Sequence, residues 1–213
     1  NRASEPICID NQEALEQLRG CADYFLVHNR PIINRVDDSI VRIMVGQTTL
    51  LRRSRGYAPL PIELNEATQQ PILAVGGHLK NTVAYMQGNR LMLSPHIGDL
   101  STSKAMAAHE QAIAAFTDLY RNSPEQVVHD AHPDYCSTRI AQAKQIDCLS
   151  VQHHYAHALA CMADNRIKAP CFAVVWDGTG YGDDGRVWGG EFLQITAEGY
   201  QRLLHFLPFP LPG

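Results

Sequence analysis

The chain has 213 residues, of which 45% are hydrophobic and 19% charged, and it carries a formal net charge of −4 at pH 7. This composition is ordinary for a globular protein of one large or two small domains. The negative charge argues against general electrostatic binding to nucleic acid or to an anionic membrane. No apolar run is long enough to span a bilayer and no signal peptide is evident, so a cytoplasmic location is expected. The six cysteines form no C-x-x-C pair and most lie in apolar runs, which predicts buried free thiols in a reducing compartment.

The N-terminal third is predicted to hold one short helix and several strands. A capping aspartate, helix formers and Gly20 as a stop predict the helix over residues 10–19. Residues 57–71 contain three of the twelve prolines and show little periodicity, so a linker and a domain boundary are expected there. The predicted strands are 23–28, 39–45 and 47–56.

From residue 71 onward, helices and strands alternate, which predicts an α/β domain. Two strand-like runs joined by Gly-Gly-His-Leu-Lys predict a hairpin over 71–89. The longest helical pattern covers 102–121. The other predicted elements are strands at 126–130, 147–152, 170–177 and 186–195, a helix at 135–145 and a helix beginning at His153.

Three histidines lie close together in "VQHHYAHALA" (151–160), at the start of the last predicted helix. His153 and His157 are four residues apart, so a helix places them on one face, one turn apart. Two neutral imidazoles in this arrangement can share one cation. The alternative is a pair of ordinary histidines with this spacing by chance, because H-x-x-x-H without a further ligand is a weak pattern.

A glycine-rich turn follows the predicted strand 170–177 in "WDGTGYGDDG" (176–185). Asp177 ends the strand, where a sheet presents side chains to a ligand crevice. The exposed backbone of Gly178, Gly180 and Gly182 could form an anion-binding concavity suited to phosphate. A tight turn that uses the glycines only for positive φ explains the pattern equally well.

A second glycine-rich turn is "GGHLKN" (76–81). Gly76 and Gly77 could let the backbone approach a phosphate while Lys80 supplies charge. A hairpin turn with a solvated lysine is the simpler interpretation and is slightly favoured.

Two further polar clusters have both a functional and a structural interpretation. Arginines in "LRRSRG" (51–56) suit bidentate binding of phosphate or carboxylate, but a solvated strand edge is the more frequent explanation. The segment "HDAHPDY" (129–135) could bind a metal through its histidines and aspartates. Capping of the following helix by Asp130 or Asp134 is favoured.

Together these segments resemble the HypF family, the carbamoyltransferases of NiFe-hydrogenase maturation. The matching segments follow the family's order over nearly the whole chain. They are "HNRPI" (28–32), "VDDSIVR" (36–42), "RRSRGYAPLPI" (52–62), "AVGGHLKN" (74–81), "LSPHIGDL" (93–100), "HDAHPDY" (129–135), "VQHHYAH" (151–157) and "DGTGYGDDGRVWGGEFL" (177–193).

The resemblance implies a domain organisation. Residues 1–64 correspond to the C-terminal part of a YrdC-like α/β domain and residues 65–70 to a linker. Residues 71–213 correspond to the first lobe of a Kae1-like domain, which has an actin/Hsp70-like fold with a mixed sheet and helices. The family's other domains, including the second Kae1-like lobe, are then expected to be missing from this chain.

The resemblance also implies a reaction, its cofactors and its partners. Carbamoyl phosphate and ATP, with Mg, yield carbamoyl-adenylate, and the carbamoyl group passes to the C-terminal cysteine of the protein HypE for cyanide ligand synthesis. One zinc or iron ion belongs to the Kae1-like part. Neither nucleic acid nor membrane is an expected partner. The alternatives are an enzyme of the tRNA threonylcarbamoyladenosine type and an inactive module that docks HypE.

The resemblance assigns residues to three sites. The implied metal ligands are His153, His157 and Asp177, with His154 pointing away from the metal. The implied nucleotide- or phosphate-binding residues are Gly76, Gly77, Lys80, Gly178, Thr179, Gly180 and Gly182. The implied substrate-binding residues of the YrdC-like part are Asn1, Ser39 and Arg55.

Overall fold

The computed structural model describes residues 5–208, which form helices and four small sheets. Within this range the helices are α1 (Asn11–Gln17), α2 (Ser103–Tyr120), α3 (Cys136–Gln142) and α4 (His153–Asn165). The strands are β1 (Ile40–Met44), β2 (Gln47–Arg52), β3 (Ile62–Ala74), β4 (Ala84–Leu93), β5 (Gln126–Asp130), β6 (Asp147–Val151), β7 (Cys171–Val175), β8 (Gly180–Tyr181), β9 (Val187–Trp188), β10 (Glu191–Ile195) and β11 (Tyr200–His205). The expected α/β class is confirmed.

The N-terminal part consists of α1 and an antiparallel ribbon of β1 and β2. The helix begins where the Asp10 side chain accepts a hydrogen bond from the Glu13 backbone N–H at 3.0 Å. The strand predicted at 23–28 is wrong, because this segment is irregular and Tyr24 and Leu26 are almost fully exposed. An apolar run forms a strand only where a neighbouring strand takes its backbone hydrogen bonds, and none of the described strands pairs with it.

The largest sheet has the strand order β4-β3-β5-β6. The predicted hairpin is confirmed by the antiparallel pairing of β3 with β4, while β5 and β6 add in parallel. Residues 65–70, the linker that the resemblance implies, lie within β3, as does most of the stretch 57–71 in which composition predicts a linker. Register shifts on both sides of Thr68 accommodate this irregular sequence within the ladder. The division into domains stays a prediction.

Helix α2 packs against this sheet and completes the main core. It begins at Thr102, whose side chain accepts from the Ala105 N–H at 3.2 Å. The rings of Tyr85 and Phe116 lie 6.1 Å apart in a stacked arrangement. The buried core residues are Leu73, Val75, Val83, Tyr85, Met92, Ile113, Phe116, Val127 and Ala141.

A second sheet, with the order β11-β10-β7, packs against α4. The buried contact consists of Ala158 on the helix and Val175, Leu193 and Ile195 on the strands. The single strand predicted over 186–195 is wrong, because Gly189 and Gly190 interrupt it between β9 and β10. Gly190 has a φ of 69°, a backbone conformation that favours glycine and ends the ladder.

The cysteines are free but none is buried, so the prediction of buried thiols is wrong. Cys21, Cys148 and Cys161 are exposed and the other three are half-buried. Cys148 lies on β6, an edge strand, which explains why an apolar neighbourhood in the sequence did not produce burial. Among residues 5–208, no helix combines the length and apolar character needed to cross a bilayer.

Candidate metal centre

The first turn of α4 is fixed by Gln152, which is 4% exposed. Its Oε1 accepts from the Tyr155 N–H at 2.9 Å and thereby caps the helix. Its Nε2 donates to the Tyr181 carbonyl at 3.1 Å. One side chain therefore fixes both the start of the histidine helix and the glycine-rich turn opposite it.

His153, His157 and Asp177 converge on one point. The Nε2 of His153 lies 2.8 Å from Oδ2 of Asp177 and 3.2 Å from Nε2 of His157. The Nε2 of His157 lies 3.3 Å from the same Asp177 oxygen. Helix α4 supplies the two histidines from successive turns, and the end of β7 supplies the carboxylate.

This triangle of donor atoms fits a divalent metal. Ligands about 2.0 Å from a tetrahedral zinc ion lie about 3.3 Å from one another, close to the edges of the triangle. The three potential ligand atoms all lie within 4.8 Å of one another. Two imidazoles and one carboxylate leave a fourth position open, which is the donor set of catalytic zinc and of non-haem iron sites.

Asp130 orients His153 from the side opposite the triangle. Its Oδ2 accepts from Nδ1 of His153 at 2.6 Å, and its side chain is 7% exposed. A carboxylate on the second nitrogen of a metal-ligating histidine fixes the ring and raises its basicity. The prediction that Asp130 or Asp134 caps α3 is wrong. The residue preceding α3 is Tyr135, which makes no side-chain capping bond.

His154 points away from the triangle, as expected for the residue between two i and i+4 ligands. It is 0% exposed, and its Nδ1 lies 3.2 Å from Nε2 of Gln152. Burial lowers the pKa of His154, and the nearby charge of His153 adds to this effect. The residue therefore belongs to the neutral interior beneath the site.

The electrostatics of the triangle favour a cation. The hydrogen bond that His153 donates to Asp130 raises the pKa of His153, and this outweighs the effect of burial. Burial acts to raise the pKa of Asp177, but the Gly178 N–H and the charge of His153 lower it overall. Two carboxylates therefore flank His153, and this arrangement favours positive charge at the triangle.

The turn after Asp177 packs tightly against α4. A Cβ at Gly180 would lie 2.6 Å from Cε1 of His154, so only glycine fits there. The Gly182 N–H donates to the Arg186 carbonyl, and the Gly178 N–H donates to Oδ1 of Asp177. These two amides are thus engaged within the protein, and within residues 178–182 the exposed residues are Gly178 and Thr179. Phosphate binding by this turn stays a prediction.

The turn at 76–81 is organised by a buried asparagine. The Nδ2 of Asn81 donates to the carbonyls of Val75 at 2.9 Å and Gly77 at 2.6 Å. Gly76 has a φ of 71°, and a Cβ there would lie 2.4 Å from the Thr82 carbonyl oxygen. The glycine is therefore required by the turn itself, whatever the turn binds.

Lys80 lines a cavity of about 840 Å³ between the N-terminal part and α2. Arg35, Arg52 and His96 lie on the same cavity wall. The charges of Arg52 and Lys80 add to burial in lowering the pKa of His96. The cavity is also lined by the carboxylates of Glu5, Asp37 and Asp99, and Arg52 pairs with Asp37 at 3.3 Å, so phosphate binding at Gly76, Gly77 and Lys80 stays a prediction.

The residues assigned to the YrdC-like substrate site have structural partners. The Ser39 hydroxyl donates to the Arg55 carbonyl and accepts from the Ser54 N–H, both at 2.8 Å. The Arg55 side chain is exposed and lies 3.4 Å from a carboxylate oxygen of Asp38. Asn1 lies outside the described residues. Substrate binding by these residues stays a prediction.

His132, a possible metal ligand from the sequence, lies outside the triangle and stacks on Tyr135, which has no role in the sequence analysis. The rings of His132 and Tyr135 stack 4.1 Å apart, and Tyr135 also stacks on His78 at 5.5 Å. Burial raises the pKa of Tyr135, and the charges of Asp130 and Asp177 raise it further. The sequence feature that could have pointed to these rings is the presence of both His132 and Tyr135 in the polar segment 129–135.

Three segments of the chain match known protein families. Residues 67–164 match the family described as the HypF Kae1-like domain, and residues 173–213 match the second subdomain of the carbamoyltransferase Kae1-like domain. Residues 1–54 match the Sua5/YciO/YrdC family, described as telomere recombination. Residues 71–213, which the resemblance assigns to a single first lobe, are divided between two of these matches, and the domain organisation stays a prediction.

Individual relatives are similar over the whole chain. The carbamoyltransferase HypF of Synechocystis sp. is 50% identical over 100% of this chain and 28% of the relative. The probable carbamoyltransferase HypF of Methanocaldococcus jannaschii is 37% identical over 94% of this chain and 27% of the relative. The chain thus spans little more than a quarter of the length of these relatives.

Solved structures show the same similarity. The T. kodakarensis HypF structure has a TM-score of 0.93 at 38% identity and covers 100% of this chain and 28% of that chain. A full-length HypF in a phosphate- and nucleotide-bound form has a TM-score of 0.90 at 44% identity, covering 95% of this chain and 32% of that chain. The chain belongs to the carbamoyltransferase HypF family.

Proposed function

We propose that this chain forms part of an ATP-dependent carbamoyltransferase of NiFe-hydrogenase maturation. In this proposal carbamoyl phosphate is hydrolysed with release of phosphate, and the resulting carbamate displaces pyrophosphate from ATP to give carbamoyl-adenylate. The thiolate of the HypE C-terminal cysteine then takes the carbamoyl group, and AMP leaves. The observation that carries the proposal is the His153–His157–Asp177 triangle in a chain of the HypF family. A cation site next to a glycine-rich strand end suits chemistry on phosphate and acyl groups.

The three side chains of the triangle would hold a zinc or iron ion. When bound, the ion supplies a Lewis acid for a phosphate oxygen or for the carbamoyl carbonyl. Asp130 keeps the Nε2 of His153 aimed into the triangle by accepting its Nδ1 proton. His157 and Asp177 are 54% and 35% exposed in their side chains, so substrate can approach from their side.

Nucleotide binding by this chain is part of the same proposal. It is supported by the phosphate- and nucleotide-bound form of the solved HypF relative and by the exposed segment of Gly178 and Thr179 beside Asp177. ATP with Mg is the proposed cosubstrate. A tRNA-modifying enzyme of the threonylcarbamoyladenosine type is disfavoured, because each relative described above is a HypF carbamoyltransferase.

The test is a reaction of the complete encoded polypeptide with ATP, carbamoyl phosphate and purified HypE. Pyrophosphate release and a carbamoyl mass increment on the HypE C-terminal cysteine are expected, and both should require carbamoyl phosphate. The variant His153→Ala should lose the mass increment while keeping its fold, as judged by circular dichroism. An unmodified HypE cysteine despite pyrophosphate release would leave this protein without the proposed transfer step.

A further inference from the structure

A buried ion pair lies behind the turn that carries Asp177. Glu191, the first residue of β10, is 0% exposed. Arg202 on β11 donates to it twice, from Nε to Oε2 at 2.6 Å and from Nη2 to Oε1 at 2.9 Å. The guanidinium carbon also lies 4.0 Å from the centroid of the Trp188 ring. This two-point contact fixes the orientation of the carboxylate as well as its charge.

Glu191 also holds the backbone of the glycine bend between β9 and β10. Its Oε1 accepts a hydrogen bond from the Gly189 N–H at 2.8 Å. A Cβ at Gly189 would lie 2.5 Å from the Gly178 carbonyl oxygen and 3.1 Å from that of Asp177. The bend is therefore pressed directly against the backbone that carries the metal ligand.

The next residue of the bend bonds to Asp177 itself. The Gly190 N–H donates to the Asp177 carbonyl at 3.0 Å. A continuous path thus runs from the Arg202 guanidinium through Glu191 and the bend to the main chain of Asp177. Asp177 lies two residues beyond Val175, the last residue of β7, so these contacts support its backbone after the strand has ended.

We propose that the Glu191–Arg202 ion pair positions Asp177 for metal binding. The proposal rests on the proposed metal centre but concerns residues that touch neither metal nor substrate. Metal ligands must be held to within about 0.5 Å of their productive geometry by the groups around them. The ion pair does this by fixing the Gly189–Gly190 bend, which in turn fixes the Asp177 backbone.

The position of Glu191 allows this role to be separated from strand stability. The packing of β10 on α4 comes from Leu193 and Ile195, farther along the strand. A mild core change at Ile195 loosens the strand without altering any contact of the Gly189–Gly190 bend. Ile195→Val is therefore a matched control for Glu191→Gln and Arg202→Lys.

The experiment is a Co²⁺ titration of the complete encoded polypeptide and these three variants, followed by visible absorbance. The absorbance of Co²⁺ bound at the triangle is defined as the part of the signal that is lost in the variant His153→Ala. Glu191→Gln and Arg202→Lys should each weaken Co²⁺ binding about tenfold. This is the lower end of the roughly 10- to 100-fold loss that follows when a side chain that orients a metal ligand is changed. Ile195→Val should change the affinity less than twofold.

A metal-free crystal structure of Glu191→Gln supplies a second measurement. The distance between Asp177 Oδ2 and His153 Nε2, 2.8 Å here, should lengthen or become variable. The proposal is overturned if both ion-pair variants bind Co²⁺ as the parent does, or if Ile195→Val weakens binding equally. If the parent protein gives no absorbance that depends on His153, the proposed metal centre is refuted. In that case the crystal structure of Glu191→Gln still tests the positioning role, and an unchanged distance between Asp177 Oδ2 and His153 Nε2 would refute it.

Discussion

Single side chains around the triangle decide whether it can bind a metal. Asp130 is the clearest case, because it was interpreted from sequence as a helix cap and lies instead behind His153. The spacing of His153 and His157 was sufficient to predict that they share a face. The role of Asp130 could not be predicted, because it depends on β5 and α4 meeting in three dimensions, 23 residues apart in the chain.

The first prediction concerns Asp130→Asn. The variant keeps an oxygen for the His132 N–H, which Oδ1 accepts at 2.8 Å, but it presents an amide to the Nδ1–H of His153. Two donors then face each other, so the imidazole loses its orientation. Metal affinity should fall about 10- to 100-fold, measured by Co²⁺ titration. Asp134→Asn, a neighbouring exposed carboxylate paired with Arg139, should bind like the parent, and equal losses in both variants would contradict the assignment.

The second prediction concerns Gly180→Ala. The added methyl would lie 2.6 Å from Cε1 of His154 and 2.9 Å from Cβ of His153, so the turn or the helix must move. Overpacking of this kind costs about 1–3 kcal/mol of unfolding free energy, and metal binding should weaken as well. Gly178→Ala is the control, because no atom lies within 4 Å of its new methyl. Urea unfolding of both variants measures the difference, and equal stability would contradict the close approach.

At the scale of elements, the buried contact between α2 and β3 contains a histidine. The Nε2 of His109 lies 2.9 Å from the Val75 carbonyl, and the residue is 0% exposed. Burial lowers the pKa of His109 below its usual value of 6.5. The unfolded chain therefore takes up a proton at this residue before the folded protein does, and folding stability falls as the pH drops through and below 6.5.

The third prediction follows from that sign. His109→Gln can still donate to Val75, so it should cost about 1 kcal/mol at pH 7.5. Its stability should then fall less than that of the parent between pH 7.5 and pH 5.5, as measured by urea unfolding at both pH values. Ile113→Val, a nearby core change of about 1 kcal/mol, should keep the pH dependence of the parent. A parallel fall in His109→Gln and the parent would exclude His109 as a source of acid sensitivity.

The elements differ in how well the sequence predicted them. Helix α2 was predicted to within one residue at each end, because a cap and a long periodic pattern act locally. The strand predicted at 23–28 does not form, whereas residues 65–70, an expected linker, are strand. Both outcomes depend on whether a neighbouring strand takes the backbone hydrogen bonds, which a local pattern does not show. The same holds for 186–195, where local pattern gave one strand and the approach of the Gly189–Gly190 bend to Asp177 produced two.

At the scale of the molecule, large apolar side chains are exposed on two of the sheets. The β1–β2 ribbon exposes Ile43 and Val45. The β11-β10-β7 sheet exposes Phe172 on β7 and Trp176 just after it. The chain also spans only 28% of its Synechocystis relative. Exposed apolar patches of this kind mark interaction surfaces. For the transfer reaction proposed above, we expect residues 1–213 to supply only part of the groups that a full-length HypF relative uses.

The last prediction tests that distribution. Residues 1–213 alone should bind Co²⁺ through His153, His157 and Asp177, because one helix and one strand end supply the whole triangle. They should form no detectable carbamoyl adduct on the HypE cysteine with ATP and carbamoyl phosphate. Positioning of reactants supplies roughly 7–11 kcal/mol of a barrier reduction, and residues 1–213, which span 28% of the Synechocystis relative, are expected to supply only part of it. Mass spectrometry of the acceptor cysteine gives the measurement, with a full-length HypF relative as the active control. An adduct formed by residues 1–213 would show that this quarter of the family's length holds the complete catalytic apparatus.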